Sequence, residues 1–249
     1  MDLRIMGSET AKGGFRNEED IIRKFNNWKR DEDSQKWLKI MGYNLGEIDS
    51  VLAVKVSKCK TDVQVKVKIT IKLKNIDDVQ NLQVKLVSNI KGFNQVDKRW
   101  VSNYIGLWNI SQEIVKLLKY YTGELPPCKS NTKDKRRMFL YEFDPADKDK
   151  LLKFFQDNKV MIVTDILKGR GRMAAEWMLV AQKIEKNARW ILKPMNEVMN
   201  YFGSGPVKMS PQGSIYIGKI TVQRKGGDGG RPTANMLQFK INPAELFGK

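Results

Sequence analysis

The clearest pattern in this chain is a strict alternation of apolar and polar residues from position 62 to position 73. A period of two is typical of a β-strand that buries one face. Asn75–Asp78 has the composition of a turn, and Leu82–Val87 follows as a second alternating segment. The sequence therefore predicts two neighbouring strands joined by a short turn.

The rest of the chain mixes segments of helical spacing with segments of strand composition. Ser8 and Thr10 are candidate N-caps of the first helix, and Gly42 ends the second. The predicted helices cover residues 8–30, 33–41, 96–121 (as one or two helices), 145–158 and 194–202. The further predicted strands cover residues 51–56, 160–164, 177–181, 189–192, 214–217, 220–222 and 236–241. This order predicts one α/β domain over residues 1–249, with a mixed β-sheet flanked by α-helices.

The chain carries a large excess of positive charge. Lys and Arg number 45 and Asp and Glu 28 among 249 residues, so the formal net charge is +17. Such a charge favours a nucleic-acid partner, although a solvated basic surface or a ribosome-associated protein is an alternative. No apolar run approaches the roughly 18–20 residues of a membrane span, and the N-terminus lacks the apolar segment of a signal peptide. The sequence therefore predicts a cytoplasmic protein without a membrane partner.

The sequence contains no histidine. This excludes Ser-His-Asp hydrolases, histidine-dependent nucleases and phosphodiesterases, and Cys-His proteases, because all of them use an imidazole. The two cysteines, Cys59 and Cys128, are too few for a cysteine-rich zinc site, which needs about four ligands. For phosphodiester hydrolysis the remaining chemistry is mainly that of carboxylates that hold Mg²⁺ beside a lysine.

One group of polar residues suits that chemistry. Gln83 and Lys85 are two apart on a predicted strand and share a face, and Asp62 lies on the polar face of the preceding strand. Asp62, the amide oxygen of Gln83 and the backbone carbonyl of Val84 would hold Mg²⁺. Lys85 would orient a water or help to deprotonate it, and would offset developing negative charge. An ordinary solvated polar face is the alternative. A symmetric hairpin turning at Asn75–Asp78 would also pair Asp62 with residues near 91 instead of 84.

Longer stretches of the chain resemble the type II restriction endonucleases of the PD-(D/E)XK superfamily that recognise GCGC and cut after the first G. These stretches are Ser8–Lys12, Gly14–Glu18, Asn81–Asn89, Gly92–Gln95, Thr122–Pro127, Ser130–Met138, Asn187–Trp190, Gln223–Asp228 and Thr233–Lys240. The similarity continues to Leu246 and Phe247. The resemblance implies the restriction endonuclease-like fold, with a catalytic core in about residues 1–120.

The resemblance also implies the site and its partners. It makes Asp62, Gln83 and Lys85 the catalytic set, with Mg²⁺ as the cofactor and Mn²⁺ as a substitute. Glu is commoner than Gln at position 83 in the superfamily, so Glu18 on the first helix is a candidate fourth residue. The alternative for Glu18 is a charge favoured by a helix N-terminus. The implied partners are double-stranded DNA, recognised by a monomer or a homodimer, and a cognate DNA methyltransferase of the same prokaryotic system.

Two segments, 89–96 and 223–240, have the composition of DNA-reading loops. Phe93 would wedge between base steps or, as the alternative, anchor a turn by being buried. The arginines of the second segment suit guanine, its amides suit base edges or hold the arginines, and its lysines suit phosphate; a flexible hairpin loop is the alternative. The candidate DNA-contacting residues are Lys91, Phe93, Asn94, Gln95, Arg224, Lys225, Arg231, Thr233, Asn235, Gln238 and Lys240.

Two further basic segments, Lys133–Arg137 and Lys168–Arg172, are expected at DNA phosphates or in solvent. Taken together, the sequence predicts a type II restriction endonuclease that depends on Mg²⁺ and leaves 5′-phosphate ends at a short palindrome. GCGC is predicted from the resemblance only. The alternatives are a sequence-specific DNA-binding protein without catalysis and a structure-specific repair nuclease of the same fold.

Overall fold

The computed structural model describes residues 3–56, 67–74, 76–184 and 188–248, without side chains for residues 3–11 and 229. The helices in these ranges are α1 (Leu3–Asn26), α2 (Glu32–Ile40), α3 (Val101–Trp108), α4 (Gln112–Thr122), α5 (Pro145–Asp157), α6 (Lys159–Leu167) and α7 (Met195–Gly203). The strands are β1 (Ile48–Lys55), β2 (Val67–Leu73), β3 (Asp77–Val87), β4 (Asn94–Arg99), β5 (Trp177–Gln182), β6 (Arg189–Pro194), β7 (Val207–Met209), β8 (Ile215–Ile217), β9 (Ile220–Arg224) and β10 (Leu237–Ile241). None of the described helices is long and apolar enough to cross a bilayer.

The chain forms two compact units. Unit 1 comprises Met1–Asn94, Leu167–Val198 and Asn242–Lys249, and unit 2 comprises Gln95–Ile166 and Met199–Ile241. The chain passes between the units several times. That the whole of residues 1–249 acts as a single restriction endonuclease domain stays a prediction.

Unit 1 contains a five-stranded mixed sheet in the order β1-β2-β3-β5-β6. The β3–β5 pair is parallel and the other pairs are antiparallel. Val67 pairs with Leu82, whereas the predicted turn at Asn75–Asp78 would have paired Val67 with Leu86. The turn is placed earlier because Asp77 already begins β3, and the Leu73 backbone N–H donates to the Ile76 carbonyl at 2.9 Å.

The core of unit 1 lies between the sheet and the helices α1 and α2. The alternation that predicted β2 is confirmed, since Val67, Ile69 and Ile71 are fully buried. The other core residues are Ile21, Phe25, Trp28, Trp37, Leu38, Ile48, Val51, Ala53, Leu82, Val84, Leu179 and Leu192. Burial of an apolar side chain of this size contributes on the order of 1.5–3 kcal/mol, so this face holds the unit together.

The Asn26 side chain of α1 hydrogen-bonds the edge of the unit 1 sheet at one residue. β1 is an edge strand, and the Asn26 side chain binds the backbone of Ala53 on it. Asn26 Oδ1 accepts from the Ala53 N–H at 2.7 Å, and Asn26 Nδ2 donates to the Ala53 carbonyl at 3.2 Å. The amide thus takes the place that a neighbouring strand would occupy at that residue.

Three sequence-based predictions of secondary structure are wrong. α1 begins at Leu3, so Ser8 and Thr10 lie within the helix instead of capping it. Residues 160–164 form part of α6, because buried apolar residues recur there at helical spacing and not in a strand. Residues 96–99, predicted as the start of a helix, belong to strand β4, and helix α3 begins at Val101. Buried charged residues in β4 obscure the alternation of apolar and polar residues that would indicate a strand.

Unit 2 contains a second five-stranded sheet in the order β4-β10-β9-β8-β7, with α4 and α5 in contact with its strands. β4 carries Asp97 and Arg99, which are buried and joined at 3.3 Å. Arg99 also reaches Asp165 at 3.4 Å, and the hydroxyl of Tyr104 donates to Asp97 at 2.5 Å. Burial, reinforced by the negative charge of Asp97, raises the pKa of Tyr104 well above its usual value. The network compensates buried charge on the edge strand.

Among the described glycines of unit 2, Gly218 in the turn between β8 and β9 leaves the least room for a side chain. Gly218 has a φ of +58°, and a Cβ there would lie 2.4 Å from the Ser204 carbonyl and 2.6 Å from that of Phe202. We expect Gly218→Ala to lower the free energy of unfolding by on the order of 3 kcal/mol, because backbone has to move. Urea unfolding followed by circular dichroism measures the change.

The matched control for that substitution is Gly226→Ala. Gly226 has a similar φ of +65°, but nothing lies within 4 Å of the position of its Cβ. Only the left-handed backbone conformation is then penalised, by about 1–2 kcal/mol. Equal losses of unfolding free energy in the two variants would show that the carbonyls around Gly218 do not oppose a Cβ at that position.

Candidate active site

Gln83 and Lys85 lie on the central strand of the unit 1 sheet. Their face of β3 is opposite to the face that carries Leu82 and Val84 into the core. Gln83 is only 1% exposed and Lys85 only 9%, and the parallel strand β5 places the fully buried Met178 beside Gln83. The alternative of an ordinary solvated polar face is therefore wrong for these two residues.

The predicted metal site is only partly within the described residues. Asp62 falls in residues 57–66, which lie outside them, so its place beside Gln83 and Lys85 stays a prediction. The described residues contain no group of three or more His, Cys, Asp or Glu side chains that would hold a metal ion. The amide oxygen of Gln83 and the backbone carbonyl of Val84 are oxygen ligands of the kind Mg²⁺ accepts. They fit such an ion if Asp62 supplies the carboxylate.

Glu18 lies in the middle of α1, well away from the first turn of that helix. The alternative of a charge favoured by the helix N-terminus is therefore wrong. Glu18 is buried, and its carboxylate pairs with the ammonium group of Lys55 at the end of β1 at 2.9 Å. Lys55 also lies over the ring of Phe15, 4.3 Å from its centre. The role of Glu18 as a fourth catalytic residue stays a prediction.

The segment after β3 turns back onto that strand. The amide nitrogen of Asn94 donates to the Leu86 carbonyl at 2.8 Å, and the side chain of Asn89 accepts from the Lys91 N–H at 2.9 Å. Asn94 therefore anchors the segment to β3. Phe93 is 45% exposed, so it does not act as the buried anchor of a turn. An exposed aromatic ring close to β3 is available to a ligand.

The basic segment Lys168–Arg172 is held against the same strand by Asn81, a residue that was not among the predicted site residues. Asn81 shares the face of Gln83 and Lys85, and its amide nitrogen donates to the carbonyls of Arg172 (3.1 Å) and Ala174 (3.2 Å). The Asn81 backbone N–H donates to Glu176 at 2.8 Å. The sequence gives little signal for this anchor, because its partners lie about 90 residues further along.

In unit 2, the segment 223–240 is held by two hydrogen-bond acceptors, Asn235 and Asp228. Asn235 Oδ1 accepts from Nε of Arg224 at 3.0 Å and from Nη2 at 2.7 Å, and its nitrogen donates to the Gly123 carbonyl at 2.8 Å. Asp228 pairs with Lys225 at 2.5 Å and accepts from the hydroxyl of Thr233. These hydrogen bonds lower the pKa of Asp228 to about 2, so the segment is held by a carboxylate that stays charged.

The remaining candidates of that segment differ in exposure. Arg231 is exposed, whereas Lys240 is half-buried and burial lowers its pKa. Gln238 is buried, and its amide nitrogen donates to the side-chain oxygen of Gln95 at 2.8 Å. Gln95 itself is exposed. The structure thus brings one residue of each predicted reading segment together on neighbouring strands β4 and β10 of unit 2.

Comparison with known proteins identifies a family and a structural relative. The model of the R.HinP1I restriction endonuclease family matches residues 41–247. Among solved structures, restriction endonuclease MspI in complex with its cognate DNA matches with a TM-score of 0.64 and 17% sequence identity, over 96% of this chain and 93% of that chain. This likeness confirms the predicted restriction endonuclease-like fold. Among curated proteins, no sequence matches this chain.

The anchor at Asn81 can be tested by hydrogen exchange. We expect Asn81→Ala to speed amide exchange in residues 168–176 on the order of tenfold, because two hydrogen bonds to the segment are lost, each contributing about 1 kcal/mol. Mass spectrometry of peptides from this segment measures the rate. Asn89→Ala, which removes an exposed turn contact of the same unit, is the control and should leave the segment unchanged. Unaltered exchange in Asn81→Ala would contradict the anchoring role.

Proposed function

Because the chain belongs to the R.HinP1I restriction endonuclease family, and is therefore a type II site-specific deoxyribonuclease, we propose that it cuts double-stranded DNA at GCGC after the first G with Mg²⁺ as cofactor. The observation that carries this proposal is the match of residues 41–247 to that family, together with the buried Gln83 and Lys85 on the central strand. The excess of positive charge, +17 over the chain, supports a DNA partner. The products are 5′-phosphate ends.

The catalytic set that we propose is Asp62, Gln83 and Lys85, with Glu18 as a fourth member. Asp62, the Gln83 amide oxygen and the Val84 carbonyl are the proposed metal ligands. When bound, Mg²⁺ or Mn²⁺ polarises the scissile phosphate and lowers the pKa of a water. The support for this arrangement is that β3 holds Gln83 and Lys85 on one face, shielded from bulk water.

Lys85 is the proposed group that orients the attacking water. Its ammonium donates hydrogen bonds, and its positive charge offsets the negative charge that develops on the phosphate oxygens. A buried ammonium interacts more strongly with that charge than a solvated one, because the surrounding dielectric constant is lower. Shielding at 9% exposure therefore suits Lys85 to this role.

The proposed DNA contacts follow the exposure of the candidate residues. Lys91, Phe93 and Gln95 are exposed and suit direct contact, and Asn94 holds their segment to β3. In the second segment Arg224 and Arg231 are proposed to contact guanine. Three sets of contacts support these residues. Asn235 holds Arg224, and Gln238 holds Gln95. Asp228 holds both Lys225 and Thr233. Lys240 is proposed to contact phosphate.

The biological setting that we propose follows from the enzyme class. A nuclease that cuts a four-base site requires a DNA methyltransferase of the same specificity to protect the host, which places both in the cytoplasm of a prokaryotic cell. A palindromic site is compatible with a homodimer, whose two-fold axis matches that of the DNA, or with a monomer that nicks each strand in turn.

Digestion of plasmid DNA tests the proposed reaction and its specificity. We expect discrete fragments with Mg²⁺ or Mn²⁺ and none with EDTA, and sequencing of the ends should place every cut after the first G of GCGC. Fragments that end at another palindrome would retain the enzyme class and reject GCGC. Intact DNA with both metals, from protein that still binds the plasmid, would contradict the catalytic proposal.

Substitution of Lys85 tests its role in the reaction. We expect Lys85→Ala to lower the cleavage rate by on the order of 10²–10⁴-fold with little change in DNA affinity, because the ammonium acts on the reacting phosphate. Single-turnover cleavage and fluorescence anisotropy measure the two effects. Lys72→Ala is the control, since Lys72 is exposed on the neighbouring strand β2. A cleavage rate within twofold of the wild type, from folded Lys85→Ala protein, would reject this role.

A further inference from the structure

A cluster of arginines forms in unit 2 where the segment 223–240 meets the loop that follows α4. Arg224 is half-buried and is held by the amide oxygen of Asn235 at 2.7 Å and 3.0 Å. The group that fixes the direction of the guanidinium is therefore uncharged. This contact orients Arg224 and leaves its positive charge in place.

The basic segment Lys133–Arg137 approaches the same position through its backbone. A Cβ added at Gly123 would lie 2.5 Å from the Arg136 carbonyl and 3.4 Å from Asn235 Oδ1. The backbone of Arg136 and the amide that holds Arg224 therefore meet at one glycine. Burial, followed by the positive charges of Arg136 and Arg137, lowers the pKa of Arg224. The three guanidinium groups thus share one region of the unit.

The carboxylates near this cluster do not balance it. In the described part of the chain, the ion pairs of these arginines go to Asp134, which binds Nε of Arg136 at 2.9 Å and Nη2 at 3.0 Å and lies 3.9 Å from Arg137. Glu142 also faces Arg137, but its oxygens accept the backbone N–H groups of Lys133 and Phe139, both at 2.6 Å. Three arginines held together in this way favour the binding of an anion.

We propose that Arg136, backed by Arg137, binds a backbone phosphate of double-stranded DNA next to the base that Arg224 contacts. Arg136 has a side chain that is 71% exposed, so a phosphate can reach it. Arg137 is largely buried against the ring of Phe139, 4.0 Å from its centre. Its positive charge adds to the attraction of the site for a phosphate. The planar guanidinium matches two phosphate oxygens at once. This inference rests on the proposed DNA-cutting function.

The salt dependence of DNA binding by Arg136→Ala tests this phosphate site. Fluorescence anisotropy with a short duplex is measured in EDTA from low to moderate salt. We expect the slope of log affinity against log salt to fall by about 0.9, which is one released counterion, and the affinity at low salt to fall on the order of tenfold. The loss should be equal for a duplex with GCGC and for a scrambled duplex, because phosphate contacts carry no sequence information.

Two further variants separate the charge from the fold. Arg136→Lys keeps the positive charge and should restore the slope. Arg23→Ala removes an arginine that is 79% exposed and paired with Asp20 at 2.7 Å, the matched situation in unit 1, and should keep the wild-type slope. An unchanged slope in Arg136→Ala, or a loss confined to the GCGC duplex, would overturn the phosphate site.

The outcome is independent of cleavage. If wild-type protein binds DNA without cutting it while Arg136→Ala lowers the slope, the phosphate site stands and the proposed reaction fails. If wild-type protein cuts at GCGC while Arg136→Ala keeps the slope, the phosphate site alone is rejected.

Discussion

The burial of a polar face on the central strand is the constraint on which unit 1 depends. Asn81, Gln83 and Lys85 are at most 9% exposed, although the opposite face of β3 already fills the apolar core. An ammonium group in such a place costs several kcal/mol unless polar groups surround it. β3 is the central strand of the unit, and two segments are hydrogen-bonded to it, one through Asn81 and the other through Asn94.

Much of this fold is readable from the sequence where one physical signal dominates. The period of two from residue 67 to residue 73 predicts β2 because one face of that strand is fully buried. Residues 160–164 have the β-branched composition of a strand, but they belong to α6, whose buried residues recur at helical spacing. β4 escaped prediction because Asp97 and Arg99 occupy buried positions, where an alternation pattern has apolar residues.

The site was predictable in part for the same reason. The alternation of Leu82–Val87 gives the shared face of Gln83 and Lys85, and motif resemblance gives their chemistry. Their burial is a tertiary effect, since β5 lies beside them from about 90 residues further along. The approach of Arg136 to Arg224 likewise depends on the close backbone contact at Gly123. Local patterns do not encode such contacts, so the sequence identifies Arg224 and Arg136 as candidates for DNA contact without indicating that they lie together.

The contact of Asn26 with the edge strand β1 has a consequence for assembly. A sheet edge with free N–H and carbonyl groups is a template on which another chain can add a strand. At Ala53 both groups are already taken by one amide side chain, so strand addition along β1 would have to break two hydrogen bonds first. A continuous intermolecular sheet through Ala53 is therefore disfavoured. Asn26 thus protects this edge of the sheet against pairing with another chain.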